Sequence, residues 1–437
     1  MVNINKNRIL MMVCMIISVT LCVGHISGNK ILIVLSMALF LGEIIFTSLS
    51  GKSLYLIYFF LPWAPLIKFE PGVMSIYTIG LIGVCVITWI RHRKFFYKQI
   101  FIAIALIIFI LIVRLFYEFE IDNTFIMFSI MLMLFPIVCK DMHEVCDFYD
   151  LNSFFSVGII SAALAAYFLA KYPMIGKFID VYSWSEITRY SGFYGDSNFY
   201  SAHISAAMAG ILILFLDSPK KPLRFMVIAA LLLYCGLISA SKAFVITIAV
   251  IFLLWILSVF SIHRDMSTKI IIIITVIIIT IGIVVSGAFD DVFNIIAFRF
   301  KDTTDLSNLT TGRSDIWAAY MQYILSNPEI FLFGRGYVNV ILEETGYSTH
   351  NTLLQSIYQF GIVGFAMLVF WLKNLFKITL PNLKIKHNQY LSCIILIAGV
   401  FLPWLSIDLL FFDELFLMMF YVSLGLKWIS RQSDNAI

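Results

Sequence analysis

The sequence predicts an all-α, polytopic membrane protein with about 14 transmembrane helices and a large extracytoplasmic loop that carries short helices. Three observations lead there. Hydrophobic residues make up 61% of the 437 positions and charged residues only 13%, whereas soluble domains have about 45–50% apolar and about 25% charged residues. Mean hydropathy is +0.96. The apolar residues also fall into runs close to the ~20 residues that a helix needs to cross a bilayer. So little charge cannot wet a globular exterior, so the chain reads as one polytopic membrane domain over 1–437. A Rossmann core, a secreted disulfide scaffold and a nucleic-acid surface are all excluded. The formal charge of +4 is too small for the last of these.

Apolar runs broken by charged or turn-forming clusters place the spans at about 9–25, 31–49, 53–69, 73–90, 99–117, 123–139, 151–170, 199–216, 223–239, 243–260, 270–288, 353–372, 389–408 and 413–429. Lys6 and Arg8 before the first run resemble a signal peptide, but another span follows with no small-residue cleavage site. The first helix is therefore expected to stay uncleaved. Pro62 and Pro65 allow a kink or a re-entrant shape in the third run. The seven cysteines show no metal-like pairing and read as buried, inert thiols.

The positive-inside rule orients these spans. With the N-terminus cytoplasmic, 19 basic residues in short segments lie inside, and Lys30, Lys68, Arg114 and Lys242 lie outside. The even helix count returns the C-terminus to the cytoplasm. Two long hydrophilic stretches, 171–198 and 289–352, then share the extracytoplasmic side, together with Ser241 and Lys242. No cytoplasmic loop is long enough for a nucleotide-using domain.

The first loop ends in Arg189-Tyr-Ser-Gly-Phe-Tyr-Gly-Asp-Ser-Asn198, where Asp196, Ser197 and Asn198 suit helix N-caps. In the second, Trp317, Tyr320, Met321, Ile324 and Leu325 mark an amphipathic helix. It is expected to start at Ser314 as N-cap and to stop at Asn327-Pro328. Two glycines flank Arg335, and His350-Asn351 opens the twelfth span, where free N–H groups favour an anion. Singly, each feature has an ordinary structural explanation. Together, Arg189, Lys242, Arg313, Arg335 and His350 put cations and a general base on one side. That combination suits a lipid-borne phosphate or diphosphate. Two intramembrane carboxylates, Glu43 and Asp408, are candidates for function or for inter-helix hydrogen bonds.

Taken in order, Arg189-x-Ser-Gly-x-x-x-Asp-Ser-Asn198, Ser239-Ala-Ser-Lys242, Gly312-Arg313 with Trp317, Phe333-Gly-Arg-Gly336 and His350-Asn351 with Gly361 and Gly364 resemble the O-antigen polymerase/ligase superfamily. The resemblance covers roughly 185–370; the first six spans share only hydropathy. It implies a metal-independent, cofactor-free glycosyltransferase whose donor is an undecaprenyl-diphosphate-linked oligosaccharide. His350 would be the catalytic base, and Arg189, Lys242, Arg313 and Arg335 would bind the donor diphosphate. Asn198, Ser241 and Asn351 would support them. Arg313 and Arg335 stand second in rank, either contacting phosphate or bracing the loop. Lys242 stands where the family usually has Arg, replacing a bidentate fork with a point charge.

The reaction expected from the resemblance is polymerisation of repeat units into O antigen or capsular polysaccharide, outside a bacterial inner membrane. Transfer to lipid A core by a ligase, and transport by a lipid-linked glycan flippase, are the alternatives. The expected partners are the lipid-linked glycan, the bilayer and a chain-length regulator protein; nucleic acid is not among them.

Overall fold

The computed structural model describes residues 6–71, 75–92, 96–117, 123–179, 181–184, 187–217, 222–261, 270, 290–301, 305–337, 342, 345–381, 383–410 and 413–432. In chain order the helices are α1 (Lys6–Ser27), α2 (Lys30–Leu49), α3 (Ser53–Phe60), α4 (Ile76–His92), α5 (Tyr97–Leu115), α6 (Asn123–Val145), α7 (Phe148–Leu169) and the single turn α8 (Pro173–Gly176). After the hairpin β1 (Val181–Trp184) and β2 (Ile187–Tyr190) come α9 (Ser197–Asp217), α10 (Pro222–Leu237) and α11 (Lys242–Ser261). The second hydrophilic stretch holds α12 (Asp290–Phe300), α13 (Leu306–Thr310), α14 (Arg313–Ser326) and α15 (Pro328–Phe333). The chain closes with α16 (Thr352–Thr379), α17 (Tyr390–Phe401) and α18 (Glu414–Gln432).

The expected all-α, multi-pass architecture is what the chain adopts. Nine helices among the described residues are long and apolar enough to cross a membrane, and Ser53–Leu66, Ile76–His92 and Leu223–Leu237 are shorter apolar segments. The predicted span 413–429 corresponds to α18, and 270–288 lies outside the described residues apart from 270.

The third run is not a straight rod. All eight residues of α3 are buried, and the chain tightens into a 3₁₀ turn over Leu61–Leu66. Pro65 has no N–H to give Leu61 four residues earlier, and the Tyr194 hydroxyl donates to that carbonyl at 2.8 Å instead. At Gly158, α7 crosses this segment so closely that a Cβ would stand 2.2 Å from the Phe59 oxygen.

The bundle centres on α9, whose apolar window is 89% buried. Its small residues allow that packing. A Cβ at Gly210 would meet the Tyr421 hydroxyl at 2.2 Å, and one at Gly399 on α17 would meet Ala209 at 2.4 Å.

Polar contacts sort the two ends of the bundle. Lys52 donates to Asn7 at 2.6 Å, Arg91 pairs with Asp141 at 3.0 Å, Arg224 donates to the Tyr149 hydroxyl at 2.9 Å, and Lys427 bonds the His143 carbonyl. These four cations gather at one end. The starts of α9, α11 and α16 lie at the other end, one helix length away.

Candidate functional site

At that second end, a cavity of about 840 Å³ opens between the starts of α9 and α11, the α12–α14 segment and the turn before α16. This size suits a substantial ligand. Arg189, Asn198, Lys242, Arg313 and His350 all line it. One wall is apolar, formed by Ile246 and Val250 of α11 with Leu402 and Leu405.

Each side chain is held by local structure. The hairpin pairs Tyr182 with Arg189, and the Arg189 guanidinium bonds the Ser239 carbonyl at 3.2 Å and the Ser197 hydroxyl. Asp196 caps α9 by accepting from the Asn198 backbone and side-chain amides, both at 2.7 Å. The Ser241 hydroxyl donates to Asn198 Oδ1 at 2.9 Å and accepts from the Phe244 N–H at 3.3 Å, which ties the start of α11 to that of α9. Lys242 is thereby aimed across the cavity. Its ammonium donates to the Asn308 carbonyl at 2.6 Å and stands 5.6 Å from the centre of the Phe300 ring.

Arg313 opens α14. Its N-cap is Gly312 at φ 79°, two residues before the expected cap at Ser314. The reason lies one residue earlier: Thr311 and Gly312 are both left-handed, and the chain enters the helix directly from that turn. The Ser314 N–H bonds the Thr310 hydroxyl at 3.1 Å instead. The Arg313 guanidinium makes no hydrogen bond among the described residues. Burial lowers its proton affinity, the nearby Asp196 and Asp408 raise it, and the cation Arg299 lowers it again. Even so, a guanidinium remains charged.

His350 has φ 45°, a left-handed conformation rare for a residue with a Cβ. Asp408 makes it possible. Its carboxylate accepts from the His350 and Asn351 N–H groups, each at 3.0 Å, and from the Thr349 hydroxyl. Asn351 then caps α16, accepting from the Leu353 and Leu354 N–H groups at 3.1 Å each. The anion expected at this helix start is therefore the chain's own Asp408. The imidazole is left facing the cavity, with no hydrogen bond among the described residues. Three non-glycine residues with positive φ occur among the described residues: Ala240, Thr311 and His350. Each lies in a segment bordering this cavity, and such strain concentrates at functional sites.

Arg335 stands apart from this group. Its guanidinium donates to the Tyr323 hydroxyl at 3.0 Å and lies 4.7 Å from the centre of the Tyr117 ring. Its N–H donates to the Tyr358 carbonyl at 3.1 Å, next to the break in α16 at Gly361 (φ 60°). Gly334 and Gly361 meet back to back here. A Cβ on either would lie 2.3–2.4 Å from the other segment's backbone. Of the two roles expected for Arg335, bracing the loop matches its contacts. Glu43 is likewise distant, on α2 between α1 and α4.

The sequence motifs leave out one cavity cation. Arg299, at the end of α12, lines the cavity beside Lys242 and Arg313. Asp408, a candidate for function or for an inter-helix hydrogen bond, makes its bonds to a turn 57–59 residues earlier in the chain, which sequence spacing does not indicate.

Residues 227–369 match the family model Wzy_C, described as O-antigen ligase. Over that stretch the chain is similar to the O-antigen polymerase/ligase superfamily. No curated protein matches the chain. The matched stretch contains Lys242, Arg299, Arg313 and His350. Arg189 and Asn198 lie outside it and line the same cavity, and Asp408, also outside it, bonds the turn that carries His350. Members of the superfamily are membrane enzymes of glycosyl transfer.

Proposed function

We propose that the protein polymerises undecaprenyl-diphosphate-linked oligosaccharide repeat units on the outer face of a bacterial inner membrane, with both termini cytoplasmic. The observation that carries this reading is the juxtaposition of His350 with Arg189, Lys242 and Arg313 around one cavity that also has an apolar wall. Polar ends of the helices would hold the diphosphate, and the apolar wall would receive the lipid tail.

The chemistry needs few parts. The bond from the donor sugar C1 to the diphosphate oxygen is already activated. The His350 imidazole takes the proton from an acceptor hydroxyl as that oxygen bonds to C1. The electron pair of the breaking C1–O bond leaves on the diphosphate, where fixed cations stabilise the growing charge. General-base assistance of this kind is worth about 10²–10⁴-fold. Asp408 fixes the turn so that the imidazole, rather than the backbone, meets the acceptor.

A second reading rests on the description of the matching family as O-antigen ligase: the same donor transferred to lipid A core. Deleting the gene and resolving the surface glycan by gel separates the two. Core bearing single repeats means a polymerase has been lost. Bare core with accumulating lipid-linked polymer means a ligase has been lost. Elongation by purified protein without an ion gradient also rules out a flippase.

A further inference from the structure

The cavity contains one more cation than the sequence motifs account for. Lys242 supplies a point charge, and that charge is tethered. Its ammonium reaches the Asn308 carbonyl at 2.6 Å and rests over Phe300. Phe300 follows Arg299 in the last turn of α12, so the contact that restrains Lys242 also carries Arg299 to the cavity wall. Arg299 stands within electrostatic range of both Lys242 and Arg313. Like charges crowded at the edge of a low-dielectric bundle repel one another, so the arrangement favours an anion between them.

We propose that Arg299 is a ligand of the donor diphosphate and supplies the bidentate fork that Lys242 cannot. This assignment rests on the lipid-diphosphate reading above. A planar guanidinium can give two parallel N–H bonds to two phosphate oxygens, whereas an ammonium gives a single, unoriented centre of charge. Lys242 neutralises charge and, through Phe300, positions α12; Arg299 fixes the orientation of the leaving group.

The test measures binding of undecaprenyl diphosphate and of uncharged undecaprenol to the purified full-length protein. Nanodiscs are made of phosphatidylcholine or of its mixture with phosphatidylglycerol. The variants are Arg299→Lys, Arg299→Gln and the exchange Lys242→Arg/Arg299→Lys. Wild-type protein is expected to prefer the diphosphate. Arg299→Lys, which keeps the charge and removes the fork, should bind it about ten- to a hundredfold more weakly. The exchange variant should recover most of that loss. Arg299→Lys that binds the diphosphate like wild type overturns the assignment. So does an effect seen only with phosphatidylglycerol, which would make Arg299 a headgroup anchor. Wild-type protein that binds undecaprenol as tightly as the diphosphate refutes the donor reading itself.

Discussion

Asp408→Asn is a sensitive perturbation because it changes the charge at almost constant shape. In the native turn the carboxylate accepts three hydrogen bonds: from the Thr349 hydroxyl and from the N–H groups of His350 and Asn351. An amide keeps one acceptor oxygen and puts an NH₂ where the other stood. Whichever way it faces, a donor then meets a donor. At least one bond to a charged group is lost, worth roughly 1.5–3 kcal/mol. His350 is held in a left-handed conformation that itself costs on the order of 1–3 kcal/mol, so the weakened turn relaxes there first. If the loss falls on the alignment of the imidazole, turnover drops about 10- to 150-fold. Diphosphate binding should change much less, because the cations sit on β2, α11 and α14. The assay is elongation of lipid-linked repeat units by purified protein, with donor affinity measured in parallel. Asp408→Asn working within twofold of wild type refutes the reasoning. A variant that loses donor affinity as fully as turnover refutes the separation of roles.

Three further outcomes follow from local geometry. Asn351→Ala should lower stability by about 1 kcal/mol through loss of the α16 cap, and Asn351→Asp should retain most of it, as read by thermal unfolding in detergent. Gly334→Ala drives a Cβ to 2.3 Å from the Gln359 carbonyl oxygen in a left-handed conformation, and should cost about 1–3 kcal/mol or prevent folding; wild-type melting behaviour would contradict the packing described. Arg335→Gln should weaken the Tyr117–Tyr323 brace and lower the unfolding temperature while leaving diphosphate affinity within a few-fold. A loss of affinity as large as that of Arg313→Gln would instead place Arg335 at the ligand.

Much of this was legible from residue order. Apolar runs mark the helices because a bilayer demands about 20 residues whatever the neighbours, and α1, α2, α7, α9 and α11 start or end where the clusters indicate. Lys242, Arg313 and His350 stood out because topology did not need them. What stayed hidden depends on long-range contacts. The break of α16 at Gly361 turns the Phe333–Gly336 loop and Arg335 towards tyrosines, and no periodicity records that pairing. Asp408 reaches back to a turn 57–59 residues earlier, so neither partner flags the other. Arg299 looks like an ordinary amphipathic-helix cation until Phe300 is seen beneath Lys242. Pro62 and Pro65 warned of a break in the third run; only the fold shows that all of α3 is buried.

The central claim is that His350 acts as a base beside a cationic diphosphate site, and single-turnover elongation measures this most directly. Purified wild type, His350→Ala and Arg313→Gln are each given undecaprenyl-diphosphate-linked repeat units in nanodiscs without an ion gradient, and bond formation and donor binding are followed together. His350→Ala should bind donor normally and form the new glycosidic bond about 10²–10⁴-fold more slowly, whereas Arg313→Gln should lose donor affinity as well. A folded His350→Ala protein that elongates glycan at the wild-type rate contradicts the account.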